Sequence, residues 1–510
     1  MSTNYLNSNI QKLSILFVNK LFFILVLGIN LTYSQSPSDP KNDLVLTWKT
    51  DNPGKSNATS ISIPTIGDGY NYDVDWNNDG VFDELNIKGN LKHNFITAGI
   101  YTIRIRGEFP RIYFNNEGDA EKIISVEQWG KIQWKSMQNA FNGATNLEIN
   151  AVDAPDLRLV TDMSHMLARC ATFNQDISHW NVSYITNMSH LFYITQAFNK
   201  DISKWNVSML SDMSNMFRGA KSFNQNINDW KVGNVTDMEG LFRGAKSFDQ
   251  ALNNWNVSKV INMAHMFREA IGFNKGLDKW DVSRVKSMEF MFIKATVFNQ
   301  NINSWNVSNV TDMSHMFRQA DAFNQPLNHW DVGKVTDMSY MFMIRKSGKF
   351  NQPIDKWNVG EVTNMRSMFS KATSFDQNIN NWDVGNVKNM SSMFSKAIVF
   401  NQSLNHWNVG QVIYMNNMFY GANSFNQPID KWDVSKVEDM SNMFGKATSF
   451  NQDITDWKVT KVANMDDMFG EASSFNQNIT TWDISNVKSM YGMFRAAKSF
   501  DQNISGWILH

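Results

Sequence analysis

From Ile177 onward the apolar positions of the chain fall into one pattern that returns every 25 residues. In the copy running from Phe298 to Ala320 the apolar slots are Phe298, Ile302, Trp305, Val307, Val310, Met313, Met316, Phe317 and Ala320, and the letters between are mostly polar. Two periods are combined. The Trp305-x-Val307 step alternates, which places both side chains on one face of a short strand. Met313, Met316, Phe317, Ala320 and Phe323 recur at three and four residues, which predicts a short helix with Thr311, Asp312 or Ser314 at its cap. A strand, a corner, a short helix and a second corner make one coil. Many copies at a fixed period predict an α/β solenoid with one short parallel strand and one short helix per 25-residue coil.

The copies can be counted by their tryptophans. Trp180 to Trp507 are spaced by 25 residues, except for 27 between Trp330 and Trp357. The extra residues fall in Met343–Lys349 and are expected in an exposed corner. Val126, Trp129, Met137, Phe141 and Ala144 occupy the same slots, so the array is expected to start at Val126. The next copy is degenerate, with Pro155 in the tryptophan slot. Residues 126–510 then hold about 16 coils. A methionine column runs unbroken from Met188 to Met490. The Asn or Asp after each Phe, such as Asn299 and Asp249, forms another. One coil cannot fold alone, so stacking on its neighbours must stabilise it.

The spacing Ile302-x-x-Trp305-x-Val307 is similar to that of the leucine-rich-repeat strand, with larger side chains, and the Asn/Asp column would bond the backbone of the adjacent turn as in those repeats. The full sentence, Phe-Asn-Gln-x-Ile-x-x-Trp-Asn-Val-Ser-x-Val-Thr-x-Met-x-x-Met-Phe, resembles the BspA-like bacterial surface-protein repeats, also met in mycoplasma lipoproteins and listerial surface proteins. That resemblance implies a leucine-rich-repeat-like solenoid, secreted or on the cell surface, with roles in adhesion. It brings no catalytic motif. The chain stops at His510 without a recognisable capping repeat, so self-association through the C-terminal coil is also expected.

Ahead of the array the pattern changes. Leu44–Trp48, Ser60–Ile63, Tyr70–Trp76 and Gly99–Ile105 read as strands separated by turn residues, which predicts a small N-terminal β-sandwich over residues 44–125. His93-Asn94-Phe95 followed by Ala98–Ile103 resembles the last hairpin of PKD-type immunoglobulin-like domains. Residues 35–43 are polar and proline-bearing, a linker. Residues 1–34 read as a signal peptide. Lys12 and Lys20 precede the apolar run Leu21–Ile29, and Thr32-Tyr33-Ser34 offers a cleavage site; the alternative is an uncleaved anchor. No second apolar stretch follows, so no integral membrane span is expected after cleavage.

Composition changes this picture little. The formal net charge is -1, which argues against nucleic acid as a partner. The single cysteine, Cys170, rules out a disulfide framework and sits in a small buried slot.

One stretch has metal spacing. Asp75, Asn77, Asp79 and Asp83 fall at positions one, three, five and nine of a calcium loop, with Gly80 at the turn and the Val81 carbonyl at position seven. Ca2+ is therefore a candidate cofactor. The competing reading is an Asp/Asn-rich turn whose side chains bond their own backbone. His165, His190, His265 and His315 share one slot, where exposed helix-face histidines are expected. A polar ladder beside the tryptophans is the candidate partner-binding face: Lys204, Lys279, Arg284, Asp331, Lys356, Asp383, Lys431 and Asp433. No Gly-x-Ser-x-Gly, His-Glu-x-x-His or phosphate-binding loop occurs. The expected function is a non-enzymatic secreted or cell-surface binding protein that takes an extracellular protein or glycan; the alternative is an envelope or matrix spacer.

Overall fold

A computed structural model describes residues 39–507, so the signal-peptide expectation and the start of the linker lie outside the described residues. Eight strands are present: β1 (Leu44–Lys49), β2 (Ser60–Ile63), β3 (Asn71–Asp75), β4 (Glu84–Ile87), β5 (Leu91–Asn94), β6 (Ile100–Glu108), β7 (Ile123–Gln128) and β8 (Glu148–Ile149). They form a six-stranded sheet in the order β4-β3-β6-β1-β7-β8 and a two-stranded sheet of β2 and β5. Leu46, Trp48, Tyr72, Val74, Ile103 and Ile105 from the first sheet and Ile61 and Ile63 from the second are buried. Apolar alternation along β2 and β6 supplies those inward positions. Residues 39–43, expected as linker, are docked. Pro40–Asn42 makes one 3-10 turn, its Pro40 carbonyl accepts from Arg104 and Gln128, and Asp43 is buried 3.3 Å from the Arg104 guanidinium.

β7 joins the two parts of the chain. It pairs antiparallel with β1 on one side and, through Ser125 and Val126, parallel with β8 from the next copy of the repeat on the other. The backbone N–H groups of Phe114 and Asn115 donate to the Asn139 carbonyl, and that of Asn116 to the Asn142 carbonyl. The Asn142 carbonyl of the first coil, which has no other backbone donor, is thereby satisfied.

Within the array the helix expectation is corrected. Among the described residues the repeats contain no α-helix. In the copy around Met313, every second N–H leaves for the next coil: Met313 to Asp337 O, His315 to Ser339 O, Phe317 to Met341 O and Gln319 to Met343 O, at 2.8–3.1 Å. The N–H groups between them close four-residue turns, Met316 to Met313 O, Arg318 to His315 O and Ala320 to Phe317 O. A helix needs all of these donors inside its own segment, and half are committed to the neighbour. The first and last of these turns have their third residue at φ > 0, as type II turns require. His315 has φ 58° and Gln319 φ 60°, and the corresponding residues of other coils (His165 and Arg169, Gly240 and Gly244, Asn442 and Lys446) are left-handed too.

The strand expectation is corrected as well. Parallel pairing is reduced to single-residue bridges at the position before each column methionine, as in Asp312↔Asp337↔Asn364. Trp305, Asn306 and Val307 do alternate buried, exposed, buried. But the Trp305 N–H closes on Ile302 O and the Val310 N–H on Val307 O, which makes two tight corners instead of an extended run.

Successive coils are held by side-chain ladders. The N–H of Asn324 donates to Asn299 Oδ1 at 2.9 Å, and Gln325 Nε2 donates to the same oxygen at 3.1 Å. The same bond recurs from Asn174–Asn199 to Asn476–Asp501. Trp305 is 2% exposed, and its Nε1 donates to Leu277 O of the preceding coil at 2.8 Å. Its ring stacks on Trp330 at 6.4 Å. Phe317–Phe342 and Phe323–Phe350 add two further columns at 5.7 and 6.1 Å. The insertion leaves these columns intact, since Trp330 and Trp357 stack at 6.4 Å while Arg345, Lys346 and Ser347 are exposed.

Candidate interaction surface

All eight residues of the expected partner face (Lys204, Lys279, Arg284, Asp331, Lys356, Asp383, Lys431 and Asp433) are exposed. No sheet carries them. They sit on the corners around the tryptophan slot, and the acids help to make those corners. The carboxylates of Asp331, Asp383 and Asp433 accept from the N–H groups of Gly333, Gly385 and Ser435 at 3.0–3.1 Å. The Ser435 hydroxyl and N–H bonds hold the Asp433 carboxyl below the usual range. The lysines of this set are carried by turns whose backbone is fixed: the N–H of Lys279 donates to Asn253 Oδ1, and that of Lys356 to Asn328 Oδ1.

The candidate calcium loop closes on itself. Asp75 is fully buried; its Oδ1 accepts from the N–H groups of Asn77 and Asp79, and its Oδ2 from Gly80 N–H at 2.8 Å. Asp79 Oδ1 accepts from Val81 N–H, and Asp83 Oδ2 from Trp76 N–H. In this arrangement the carboxylate oxygens accept from backbone donors of the loop itself. These bonds form the self-bonded turn. Among the described residues no group of three or more His, Cys, Asp or Glu side chains converges to hold a metal ion. Beside this loop lies an open pocket lined by Trp76, His93, Phe95 and Tyr101, with Glu84 at its rim. Its rings are paired with one another, Trp76 on His93 at 4.3 Å and Phe95 on Tyr101 at 3.7 Å.

The histidine slot is neither helical nor open. His165 and His190 stack at 4.3 Å. His265, Phe290, His315 and Tyr340 continue as one pile at 4.2–4.8 Å. Burial drives the imidazole pKa of His190, His265 and His315 down to about 4, with nearby arginines and, for His190, the neighbouring His165 adding to the effect. Cys170 is buried, and burial pushes its thiol far up, as its small slot predicts.

A feature missed in the sequence lies next to the histidines. Three residues beyond the histidine slot, Arg218, Arg243, Arg268 and Arg318 occupy one position of the repeat. Arg218 lies over the Tyr193 ring at 5.1 Å, Arg268 over Phe290 at 5.6 Å and Arg318 over Tyr340 at 5.3 Å. The signal was available as recurrence of one charged residue type in one slot of several copies. It was hidden because each arginine looks unremarkable in its own copy.

Geometry and repeat together define a tandem-repeat protein whose constant letters are core and ladder. Residues 135–255, 239–347, 343–449 and 425–510 match the family described as Mycoplasma protein of unknown function, DUF285. The chain belongs to that family. No curated protein and no solved structure matches it. No helix among the described residues is long and apolar enough to cross a membrane.

Proposed function

We propose that this is a secreted or cell-surface, non-enzymatic binding protein whose repeats form an extended solenoid facing an extracellular protein or glycan. One observation carries the reading. The letters that stay constant between coils are buried or bonded to the next coil, whereas charged letters that vary, such as Lys204, Lys279, Lys356 and Lys431, are exposed. Selection for folding alone accounts for the first set and not for the second. Repeat arrays commonly present such a surface to partners. The likeness to BspA-like surface repeats and to PKD-type domains, and the signal-like N-terminus, support an extracellular setting. The test is capture of glycans and host proteins on arrays by the chain from Gln35, followed by cell binding with the combined substitution Lys279→Glu, Lys356→Glu and Lys431→Glu. Cell binding unchanged by those swaps removes the adhesive role of this face.

A second reading is a structural spacer that self-associates. Sedimentation velocity that gives one monomeric species across concentrations excludes it.

A further inference from the structure

The arginine slot has an internal control, because the same position is filled many times in one chain. In later coils it holds Ser370, Ser395, Tyr420, Gly445 and Gly470, and then Arg495, which pairs with Asp467 and Glu471. The serine and glycine coils keep the same stacked rings and the same coil-to-coil hydrogen bonds as the coils of Arg218, Arg243, Arg268 and Arg318. The fold therefore does not require arginine there. Having several together is also unfavourable. Arg218, Arg243 and Arg268 lie on successive coils, which parallel pairing sets about 4.7–4.9 Å apart. Burial and the like charges of Arg218 and Arg268 lower the pKa of Arg243.

Acidic residues of the chain relieve this only in part, through Glu269, whose charge acts on Arg243 and Arg268. Among the described residues no carboxylate lies within ion-pair distance of Arg218, Arg243 or Arg318, and Arg268 reaches only Glu269, at 3.9 Å. The Nε atoms of Arg268 and Arg318 are buried without an acceptor. An acidic row does run nearby in the bridge column, with Asp212, Asp237, Asp312 and Asp337. Each of these spends one oxygen on the N–H two residues ahead. Along the chain the histidine-and-aromatic row falls between the acids and the arginines, and His315 feels both, with Arg318 lowering its pKa and Asp337 and Asp312 raising it. Rings beneath the guanidinium groups orient them while leaving their charge uncompensated.

Spacing narrows the anion. Arg218, Arg268 and Arg318 recur on every second coil, a step of about 9–10 Å at ladder spacing, with Arg243 between the first two. Carboxylates on successive residues of an extended peptide come at about 3.3–3.6 Å per residue, and phosphates along one duplex strand at about 3.4 Å. Both are denser than the rungs. One disaccharide of a linear glycan is close to two coils long. Resting on the binding role proposed above, we propose that this row binds a linear polysaccharide with one carboxylate per disaccharide, lying along the array across the five coils from Arg218 to Arg318. Arg218, Arg268 and Arg318 each donate one Nη1 hydrogen to Asn215, His265 or His315, and the charge and terminal donors that remain on each guanidinium suit a carboxylate, a match that serine lacks.

The probe is a hyaluronan decasaccharide, titrated calorimetrically into the chain from Gln35. A heparin decasaccharide, polyglutamate and a thymidine oligonucleotide are titrated in parallel. Arg218→Ser, Arg268→Ser and Arg318→Ser are made singly and together, because serine is native to this slot at Ser370 and Ser395; thermal melting checks that they fold. The expected result is hyaluronan binding that each single substitution weakens by about tenfold and the triple substitution abolishes, with the melt unchanged. Hyaluronan binding that survives the triple substitution overturns the assignment, as does binding only to heparin, polyglutamate or the oligonucleotide. Array capture of proteins but of no carboxylated glycan defeats this inference and leaves the binding role standing. No capture of any kind defeats both.

Discussion

Two residues in nearly every coil stand in left-handed backbone, four positions apart, and they decide what the repeat is. In the first of these slots the occupants include Asn215, Gly240, Asn417 and Gly492; in the second, Gly219, Gly244 and Gly421. Glycine and asparagine returning at fixed offsets are turn signals. They were obscured by His165, Ile194, Phe290 and Tyr340, which hold the same conformation at some cost in strain. The apolar spacing misled for a physical reason. Consecutive four-residue turns return Met, Phe and Ala to one side at intervals of three and four, as a helix does. Gly244→Ala separates the two readings by sign. In a helix interior it stabilises by about 1 kcal/mol. At φ 71° it is expected to destabilise by about 1–2 kcal/mol, as read from the midpoint of urea unfolding.

At the scale of one element, the face of turns that runs from the bridge residue to the arginine slot carries acids, then rings, then guanidinium groups. Its ring row has a consequence for acid stability. His190, His265 and His315 are held to about 4 in the folded chain, against about 6.5 when unfolded. Between those values the unfolded chain takes up protons that the folded chain refuses, so stability falls as the pH drops from about 6.5 toward 4. The expected loss is about 1–2 kcal/mol per histidine. His265→Asn combined with His315→Asn should flatten the acid limb of a plot of urea midpoint against pH, since asparagine is native to this slot at Asn215 and Asn417. A limb as steep as in the parent chain would remove the histidines as its cause. The shared slot was legible in the sequence; the pile of rings was not, because stacking between coils depends on a turn geometry whose apolar spacing imitates a helix.

For the whole molecule, the period, the buried slots and the asparagine bonds are all legible in the amino-acid letters, because each is set by identity between copies. The way coils hold one another is not. It lies in which backbone donors face inward and which face the neighbour, and side-chain pattern does not report that. The period itself can be tested by surgery. Deleting residues 376–400 joins Phe375 to Asn401 and places Asn401 where Asp376 stood, next to Asn351. The shortened chain should keep the near-ultraviolet circular dichroism of its stacked tryptophans and a cooperative melt, with only a small drop in midpoint. Deleting residues 376–387 instead breaks every ladder at once and should abolish both.

The ladders also set a mechanical response. Rungs between neighbouring coils run along the stack, so tension along that axis loads all the rungs of one junction together. A junction that gives way frees one coil of 25 residues, roughly 80–90 Å of extended chain, while the rest of the stack shortens by only about 5 Å. A pulled molecule would thus lengthen in equal steps and shed force at each one, coil after coil.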